Sequence, residues 1–192
     1  MTRKYELGKR AEHLADTRRR IVEAAVSLHT TEGPVKTSIA AVAERAGVQR
    51  HTVYAHFPDL RSLFAACSSH WEAKNPFPDS AAWFAIEDPT RRLRAALDDV
   101  YAWYGRVEPE LALFHRDASL VPEDGELVER EATELADLAD DLAKGFGKHR
   151  AARAAIGHAL EFETWRSLVR RQGLSPRAAV DAMVRLAAAV GR

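Results

Sequence analysis

Hydrogen-bonding side chains are concentrated in one short segment, between apolar residues at helical spacing. The polar residues are Gln49, Arg50, His51, Thr52, Tyr54 and His56. A guanidinium group can donate to both acceptors of guanine, which makes Arg50 the strongest candidate for reading a base. The apolar side chains of Val48, Val53 and Phe57 would hold the polar ones on the exposed face of a helix. Nearly all of these polar side chains can hydrogen-bond to a base or a phosphate, and exposed helix residues without such a role are the alternative.

A second short helix is predicted directly before this segment. Its apolar face is formed by Ile39, Val42, Ala43 and Ala46. Thr37 or Ser38 would cap it, because a hydroxyl oxygen accepts a hydrogen bond from a free backbone N–H. Gly47 lies where the chain must turn, and a positive φ costs glycine least. Two helices joined in this way form a helix-turn-helix, whose second helix enters the DNA major groove.

These residues together resemble the DNA-binding domain of the TetR (tetracycline-repressor) family of bacterial regulators. The resemblance covers about residues 17–64, and its matching residues are Thr37, Val42-Ala43, Ala46-Gly47-Val48, Thr52-Val53-Tyr54, His56-Phe57 and Leu63. It implies phosphate contacts from Tyr54 and His56, and we predict the same for Thr37 and Ser38. Gln49, His51 and Thr52 are predicted to reach base edges beside Arg50.

Three positions depart from the family pattern. Gln49 stands where a small capping residue is usual, and His51 stands where glycine is common. Leu60 replaces a lysine that often contacts phosphate, and Arg61 is the candidate for that contact. The operator sequence therefore cannot be transferred from a relative.

Charge is unevenly distributed, although the whole chain of 192 residues is neutral, with 28 basic and 28 acidic residues. Residues 1–67 carry 11 Lys and Arg against 7 Asp and Glu, and the remainder has the opposite balance. An excess of basic residues in the N-terminal third fits a DNA-binding head. The alternative is that the charges are distributed by chance. The single cysteine, Cys67, excludes an internal disulfide and is predicted to be a buried, unreactive thiol.

The fold class is predicted to be all-α, with about nine helices. A three-helix DNA-binding head would span residues 1–58, and a helical ligand-binding and dimerisation body would span residues 59–192. Residues 1–15, with Lys9 and Arg10, would extend the first helix, contact DNA or remain a solvated tail. Later helices are expected at 59–73, from 89 to a break at Glu108-Pro109, and at 126–146, 150–172 and 176–190, with loops at 74–88 and 119–125.

The final predicted helix is apolar almost all round, from Ala178 to Val190. Such a helix must be buried on several sides, and a second subunit is the simplest partner. The family resemblance implies the same arrangement, a homodimer in which the last two helices of each subunit form a four-helix bundle.

Aromatic and polar side chains mix in the predicted body, at Trp103, Tyr104, Phe114, His115, Phe162 and Trp165. Small-molecule sites are usually lined in this way, although aromatic residues at helical spacing also form ordinary cores. The resemblance implies an unknown small-molecule effector that changes the separation of two DNA-binding heads.

Motifs for catalysis are missing from the sequence. It has no glycine-rich phosphate loop and no Gly-x-Ser-x-Gly. His158 and Glu161 have the reverse order of the di-metal motif and no second copy. We predict no catalytic residue, no metal site and no cofactor, and the protein is not expected to be an enzyme. The polar N-terminus and the lack of an 18-residue apolar run predict a cytoplasmic protein that does not bind membranes.

The predicted function is a homodimeric transcriptional repressor that a small ligand releases from double-stranded operator DNA. Two alternatives stay open at this point. One is a helical small-molecule-binding or structural protein that does not read DNA. The other is a regulator, including an activator, that works without a ligand.

Overall fold

The computed structural model describes residues 2–146 and 150–191, without the side chains of residues 2–7 and 124. Within this part of the chain every regular element is helical, which confirms the predicted all-α class. The described residues form ten α-helices: α1 (Thr2–Thr31), α2 (Ile39–Ala46), α3 (Arg50–His56), α4 (Leu60–Lys74), α5 (Ala81–Phe84), α6 (Pro89–Asp117), α7 (Pro122–Ala143), α8 (Arg150–Leu160), α9 (Phe162–Arg166) and α10 (Pro176–Val190).

Contacts divide the chain into two compact units. The first unit joins Met1–Pro76 to Pro109–Val128. Its core is built by α1 to α4, with buried Ile21, Leu28, Val42, Val53, Phe57 and Leu63. Cys67 belongs to this core, and burial raises the pKa of its thiol to about 12, as expected of an unreactive cysteine. The boundary at residues 58 and 59 stays a prediction.

Helix α1 extends over the segment for which the sequence left open a helical extension, a DNA-contacting arm and a solvated tail. It includes residues 2–16, so the segment proposed as an arm or a tail extends the first helix. From Gly8 to Ala15 the residues are exposed, and the buried face begins at Thr17. The side chains of Arg3 and Lys4, which belong to the same segment, lie outside the described part.

The second unit joins Phe77–Glu108 to Glu129–Arg192. Its buried side chains come from α6, α7, α8, α9 and α10, including Leu93, Leu97, Val100, Leu142, Ile156, Phe162 and Val184. The short helix α5 is anchored by Trp83, whose indole N–H donates to a carboxylate oxygen of Asp99 at 2.7 Å. The expected loop at 74–88 is therefore interrupted by one helical turn.

Two predicted interruptions are wrong. Helix α6 continues through Pro109 to Asp117. Proline removes one backbone hydrogen bond, and the burial of Val107 and Leu111 on either side favours a continuous helix. Likewise, α7 starts at Pro122 inside the expected loop at 119–125, because proline fits the first turn of a helix.

The helix predicted at 150–172 is divided. Helix α8 ends at Leu160, and after α9 the chain forms a π-helical turn over Ser167–Arg171. Buried tyrosines stabilise the break, since Tyr101 donates to the carbonyl oxygen of Ala159 at 3.0 Å and Tyr104 donates to that of Leu160 at 2.6 Å. These hydroxyls replace hydrogen bonds that a continuous helix would make.

Helix α10 buries one face within the chain. Ala179, Val180, Val184 and Ala187 are buried, whereas Leu186 is 41% exposed. The apolar composition of the remaining face is therefore not explained by contacts within the described chain. No described helix is both long enough and apolar enough to cross a membrane.

Candidate nucleic-acid interface

The first helix of the predicted motif begins at a side-chain cap. Ser38 has an extended backbone, and its hydroxyl oxygen accepts a hydrogen bond from the N–H of Ala41 at 3.1 Å. This bond satisfies one of the free N–H groups at the start of α2. Of the two predicted capping residues, Ser38 is the one that caps.

Gly47 forms the turn between α2 and α3. Its φ of 64° and ψ of 39° place it in the left-handed region, as the sequence predicts. The next N–H, that of Val48, donates to the carbonyl oxygen of Ala43 at 2.9 Å. This pattern ends α2 and leaves three residues, 47–49, before α3 begins at Arg50.

Helix α3 presents the predicted polar side chains to solvent. Val53 and Phe57 are buried in the core of the first unit, so the opposite face of the helix is directed toward solvent. Arg50, His51 and Tyr54 are exposed, the last by 50%. Gln49 precedes the helix at the N-cap position without a side-chain capping bond, and Thr52 and His56 are half-buried.

Three other arginines of the first unit make contacts around the two helices of the motif. Arg20 donates to the carbonyl oxygens of Ala46 and Gly47, at the turn. The guanidinium carbon of Arg18 lies 4.4 Å from the centre of the Phe57 ring, within range of a cation–π interaction. Arg45 donates to the hydroxyl oxygen of Ser27 at 2.7 Å.

Arg50 differs from these arginines because its guanidinium has no hydrogen bond, ion pair or ring contact with any described residue. The sequence favours Arg50 as the base reader, but it could not show that Arg18, Arg20 and Arg45 have partners within the first unit. The structure assigns three of them to positioning and leaves the fourth exposed on α3.

Thr37 and Arg61 have internal partners. The hydroxyl of Thr37 donates to the carbonyl oxygen of Gly33 at 3.0 Å. Both terminal nitrogens of Arg61 donate to the carboxylate of Glu126, each at 2.6 Å. A phosphate contact from either residue requires a change of partner, and these contacts stay predictions.

The six residues predicted to line a ligand site fall into both units. In the second unit, Trp103, Tyr104, Phe162 and Trp165 form one buried aromatic group, in which Tyr104 lies 5.3 to 5.9 Å, centroid to centroid, from each of the other three rings. Phe114 and His115 belong to the first unit, where Phe114 meets Trp71 edge to face at 5.7 Å.

Two features of the aromatic group were not predicted. Phe77, which the sequence places in a loop, packs edge to face against Trp103 at 5.2 Å. Trp165 is 1% exposed, and its indole N–H has no hydrogen-bond partner in the described part of the protein. A buried donor without an acceptor costs free energy, so this N–H is available to a bound molecule.

His158 and Glu161 lie together at the end of α8. One imidazole nitrogen of His158 is 3.4 Å from a carboxylate oxygen of Glu161, and the hydroxyl of Thr164 is 3.1 Å from the same nitrogen. His158 and Glu161 are exposed, and the contact is an ordinary surface pair.

The comparisons with known proteins agree with this geometry. The family described as "Bacterial regulatory proteins, tetR family" matches residues 21–67, which contain α2, α3 and most of the core of the first unit. An uncharacterised HTH-type transcriptional regulator of Mycobacterium tuberculosis is 46% identical over 52 residues, 27% of this chain and 28% of that protein. The matched segment thus spans little more than a quarter of its relative.

Solved structures extend the likeness of the fold to nearly the whole chain. A TetR-like transcriptional regulator from Rhodococcus sp. RHA1 superposes with a TM-score of 0.62 at 22% identity, over 89% of this chain and 93% of the other. AibR, solved in complex with isovaleryl coenzyme A and operator DNA, has a TM-score of 0.59 at 18% identity, over 88% and 96%.

The segment that matches the family contains the capped α2, the left-handed turn at Gly47 and the exposed polar face of α3. The all-helical fold beyond them is the one that known TetR-like regulators share. Residues 21–67 therefore match the TetR family of bacterial regulatory proteins, and the described part of the chain has the fold of TetR-like transcriptional regulators.

Proposed function

We propose that the protein is a homodimeric repressor that binds operator DNA through α3 and leaves it when a small ligand binds. One observation carries the proposal for DNA. Arg50 is exposed and unpaired on α3, while Arg18, Arg20 and Arg45 contact Phe57, the turn at Gly47 and Ser27 within the first unit. An unpaired guanidinium on a rigid helix is suited to bidentate contact with guanine.

The remaining side chains divide by the contact they would make. Gln49, His51 and Thr52 stand beside Arg50 and would reach base edges. Tyr54 and His56 follow on the same helix and would donate to phosphate, as would the predicted pair Thr37 and Ser38 before α2. Phosphate contacts fix the register of the helix in the groove, and base contacts provide the sequence preference.

Dimerisation is proposed to use the face of α10 that its own chain leaves open. Leu186 is 41% exposed, and Ala182, Met183 and Val190 on the same helix are half-buried. A two-fold pairing of this helix and α8 would cover these apolar side chains and present two copies of α3 to one duplex.

Ligand control is proposed to act through the aromatic group of Trp103, Tyr104, Phe162 and Trp165. Its apolar rings and the unpartnered N–H of Trp165 favour an apolar ligand that carries a hydrogen-bond acceptor. Phe114 and His115 remain part of the prediction. AibR has the same fold and was solved with both an acyl-coenzyme A and DNA, which supports a fold able to hold both kinds of partner.

Selection of binding sites from a random duplex pool tests the proposal. The wild-type protein should enrich a two-fold symmetric site, since a dimer reads two half-sites. A panel of apolar compounds with ester, amide or ketone groups should contain members that release the selected duplex. A pool without enrichment after repeated rounds would contradict the assignment of α3 as a reading helix. As a regulator acting on operator DNA, the protein would work in the cytoplasm.

A further inference from the structure

The loop between α1 and α2 is fastened to the end of α6. The N–H of Val35 donates to a carboxylate oxygen of Asp117 at 3.0 Å, across 82 positions of the chain. Asp117 is the last residue of α6 and only 2% exposed. A buried carboxylate needs partners, and here one partner is the backbone that leads into the DNA-binding motif.

Arg116 completes the arrangement. Its guanidinium donates to both carboxylate oxygens of Asp117, at 2.6 and 3.0 Å, and to the carbonyl oxygen of Glu32 at 3.1 Å. The bond from Arg116, followed by the bond from Val35, holds the pKa of Asp117 below its usual value. The carboxylate is therefore charged and fixed between α6 and the loop after α1.

Glycine at position 33 permits this close approach. Its φ of 95° lies in the left-handed region, and a Cβ there would overlap both the Arg116 guanidinium and the Asp117 carboxylate. Hydrogen bonds within the loop then fix the start of α2. Thr37 donates from its backbone to Pro34 and from its hydroxyl to Gly33, and the next residue caps α2.

The end of α6 belongs to the same compact unit as the DNA-binding motif. Residues 109–128, which include the end of α6, cluster with residues 1–76 rather than with the rest of α6. Pro109, where this part begins, lies inside the helix, so α6 lacks one backbone hydrogen bond at that place.

We propose that Asp117, held by Arg116, is a positioning residue for DNA binding, which fixes the loop before α2 so that α3 takes its DNA-binding orientation. The end of α6 thereby controls the head directly through the Asp117–Val35 bond. This inference rests on the proposed function, because it concerns the orientation of the same α3.

Asp117→Ala and Asp117→Asn separate positioning from stability. Asparagine keeps an oxygen that can accept from Val35, whereas alanine removes it. We expect Asp117→Ala to weaken binding of a labelled duplex, selected from the random pool, at least about tenfold, and Asp117→Asn to stay within about threefold of wild type. Binding of a scrambled duplex of equal composition should change less in both variants. Asp140→Ala, which breaks an exposed pair with Arg153, is the matched control and should leave both affinities unchanged.

Amide hydrogen exchange supplies a second measurement that does not depend on DNA. The Val35 amide should exchange faster in Asp117→Ala than in wild type, while the Val53 amide in the core should not. If Asp117→Ala does not fold, Asp117→Asn decides: a slow Val35 amide with retained specific affinity supports the proposal, and a slow amide with lost affinity overturns it.

The outcomes also distinguish this inference from the proposed function. A folded Asp117→Ala that binds the selected duplex as tightly as wild type overturns the positioning role and leaves DNA binding by α3 intact. A wild-type protein that binds the selected and scrambled duplexes equally overturns both.

Discussion

The imidazole ring of His29 packs against the phenyl ring of Phe64, with centroids 4.8 Å apart, and so joins α1 to α4 within the first unit. His29 is 6% exposed, and burial lowers the pKa of its imidazole from 6.5 to about 4. The ring is therefore neutral in the folded protein at neutral pH.

Acidification should destabilise the protein through His29. Above pH 6.5 the ring is neutral in both states, and its contribution is fully present. Between pH 6.5 and 4 the unfolded chain binds a proton that the folded protein does not, so the free energy of unfolding falls, by about 2 kcal/mol from pH 7.5 to pH 5. Urea unfolding at the two pH values measures this difference.

Matched variants assign the pH effect. His29→Phe keeps a ring against Phe64 and removes the titrating group, so its loss of stability at pH 5 should be smaller by that amount. His51→Gln alters an exposed histidine and should behave like wild type. Equal losses in His29→Phe and wild type would contradict the assignment.

Arg50 and Tyr54 should differ in the kind of DNA binding they support. Arg50→Ala should weaken the selected duplex by about 1–3 kcal/mol and relax the sequence preference. Tyr54→Phe should weaken selected and scrambled duplexes alike, because a phosphate contact carries no sequence information. Anisotropy titrations with both duplexes measure the difference. Equal and sequence-independent losses in both variants would remove Arg50 as the base reader.

The sequence predicted the local geometry of the motif correctly because neighbouring residues determine it. Ser38 caps α2 through a bond three residues along the chain, and Gly47 takes its left-handed conformation in the three-residue turn between α2 and α3. The bond between Asp117 and Val35 could not be predicted, because it spans 82 positions and depends on the whole first unit. The contacts of Arg20 with the turn at Gly47 and of Arg18 with Phe57 could not be predicted either, because they join residues far apart in the chain.

The ends of the helices also depend on contacts between residues that are distant in the chain, which the sequence does not reveal. Pro109 favours a break locally, but buried neighbours keep α6 continuous. No residue near Leu160 indicates a break, yet α8 ends there because Tyr104, 56 residues earlier, bonds its carbonyl oxygen. Of the predicted ligand residues, four meet in the second unit because they lie on elements that pack together, which helical spacing alone does not reveal.

Glu126 should compete with DNA for Arg61. The two side chains form a bidentate pair on the surface, with Arg61 70% exposed, and such pairs contribute little to stability because solvent screens them. Glu126→Gln should leave the melting temperature nearly unchanged and raise affinity for all duplexes by less than about tenfold at low salt, since Arg61 becomes available to phosphate.

Asp140→Asn is the control for charge, because it also removes one acidic group from an exposed arginine pair, in the second unit. It should not alter DNA affinity. If Glu126→Gln and wild type bind equally at 50 mM salt, Arg61 does not contact the duplex.

Leu186 gives the sharper test of the proposed dimer. Val184 is 2% exposed within its own chain, so Val184→Asp would disturb folding as well as association. Leu186→Asp should produce folded monomers at micromolar concentration, because it places a charge in the proposed apolar interface. Leu120→Asp changes a leucine that is 68% exposed in the first unit and should leave the dimer intact. Sedimentation of wild type, Leu186→Asp and Leu120→Asp measures their oligomeric states. A monomeric wild type would contradict the proposed interface.

Binding of the selected and scrambled duplexes by the wild-type protein at several salt concentrations tests the central claim most directly. If α3 reads DNA, affinity for the selected duplex should exceed that for the scrambled one by at least about a thousandfold. The logarithm of both association constants should fall linearly with the logarithm of salt concentration, because phosphate contacts release counterions. Equal affinities for the two duplexes, or binding that does not respond to salt, would contradict the assignment of α3 as the DNA-reading helix.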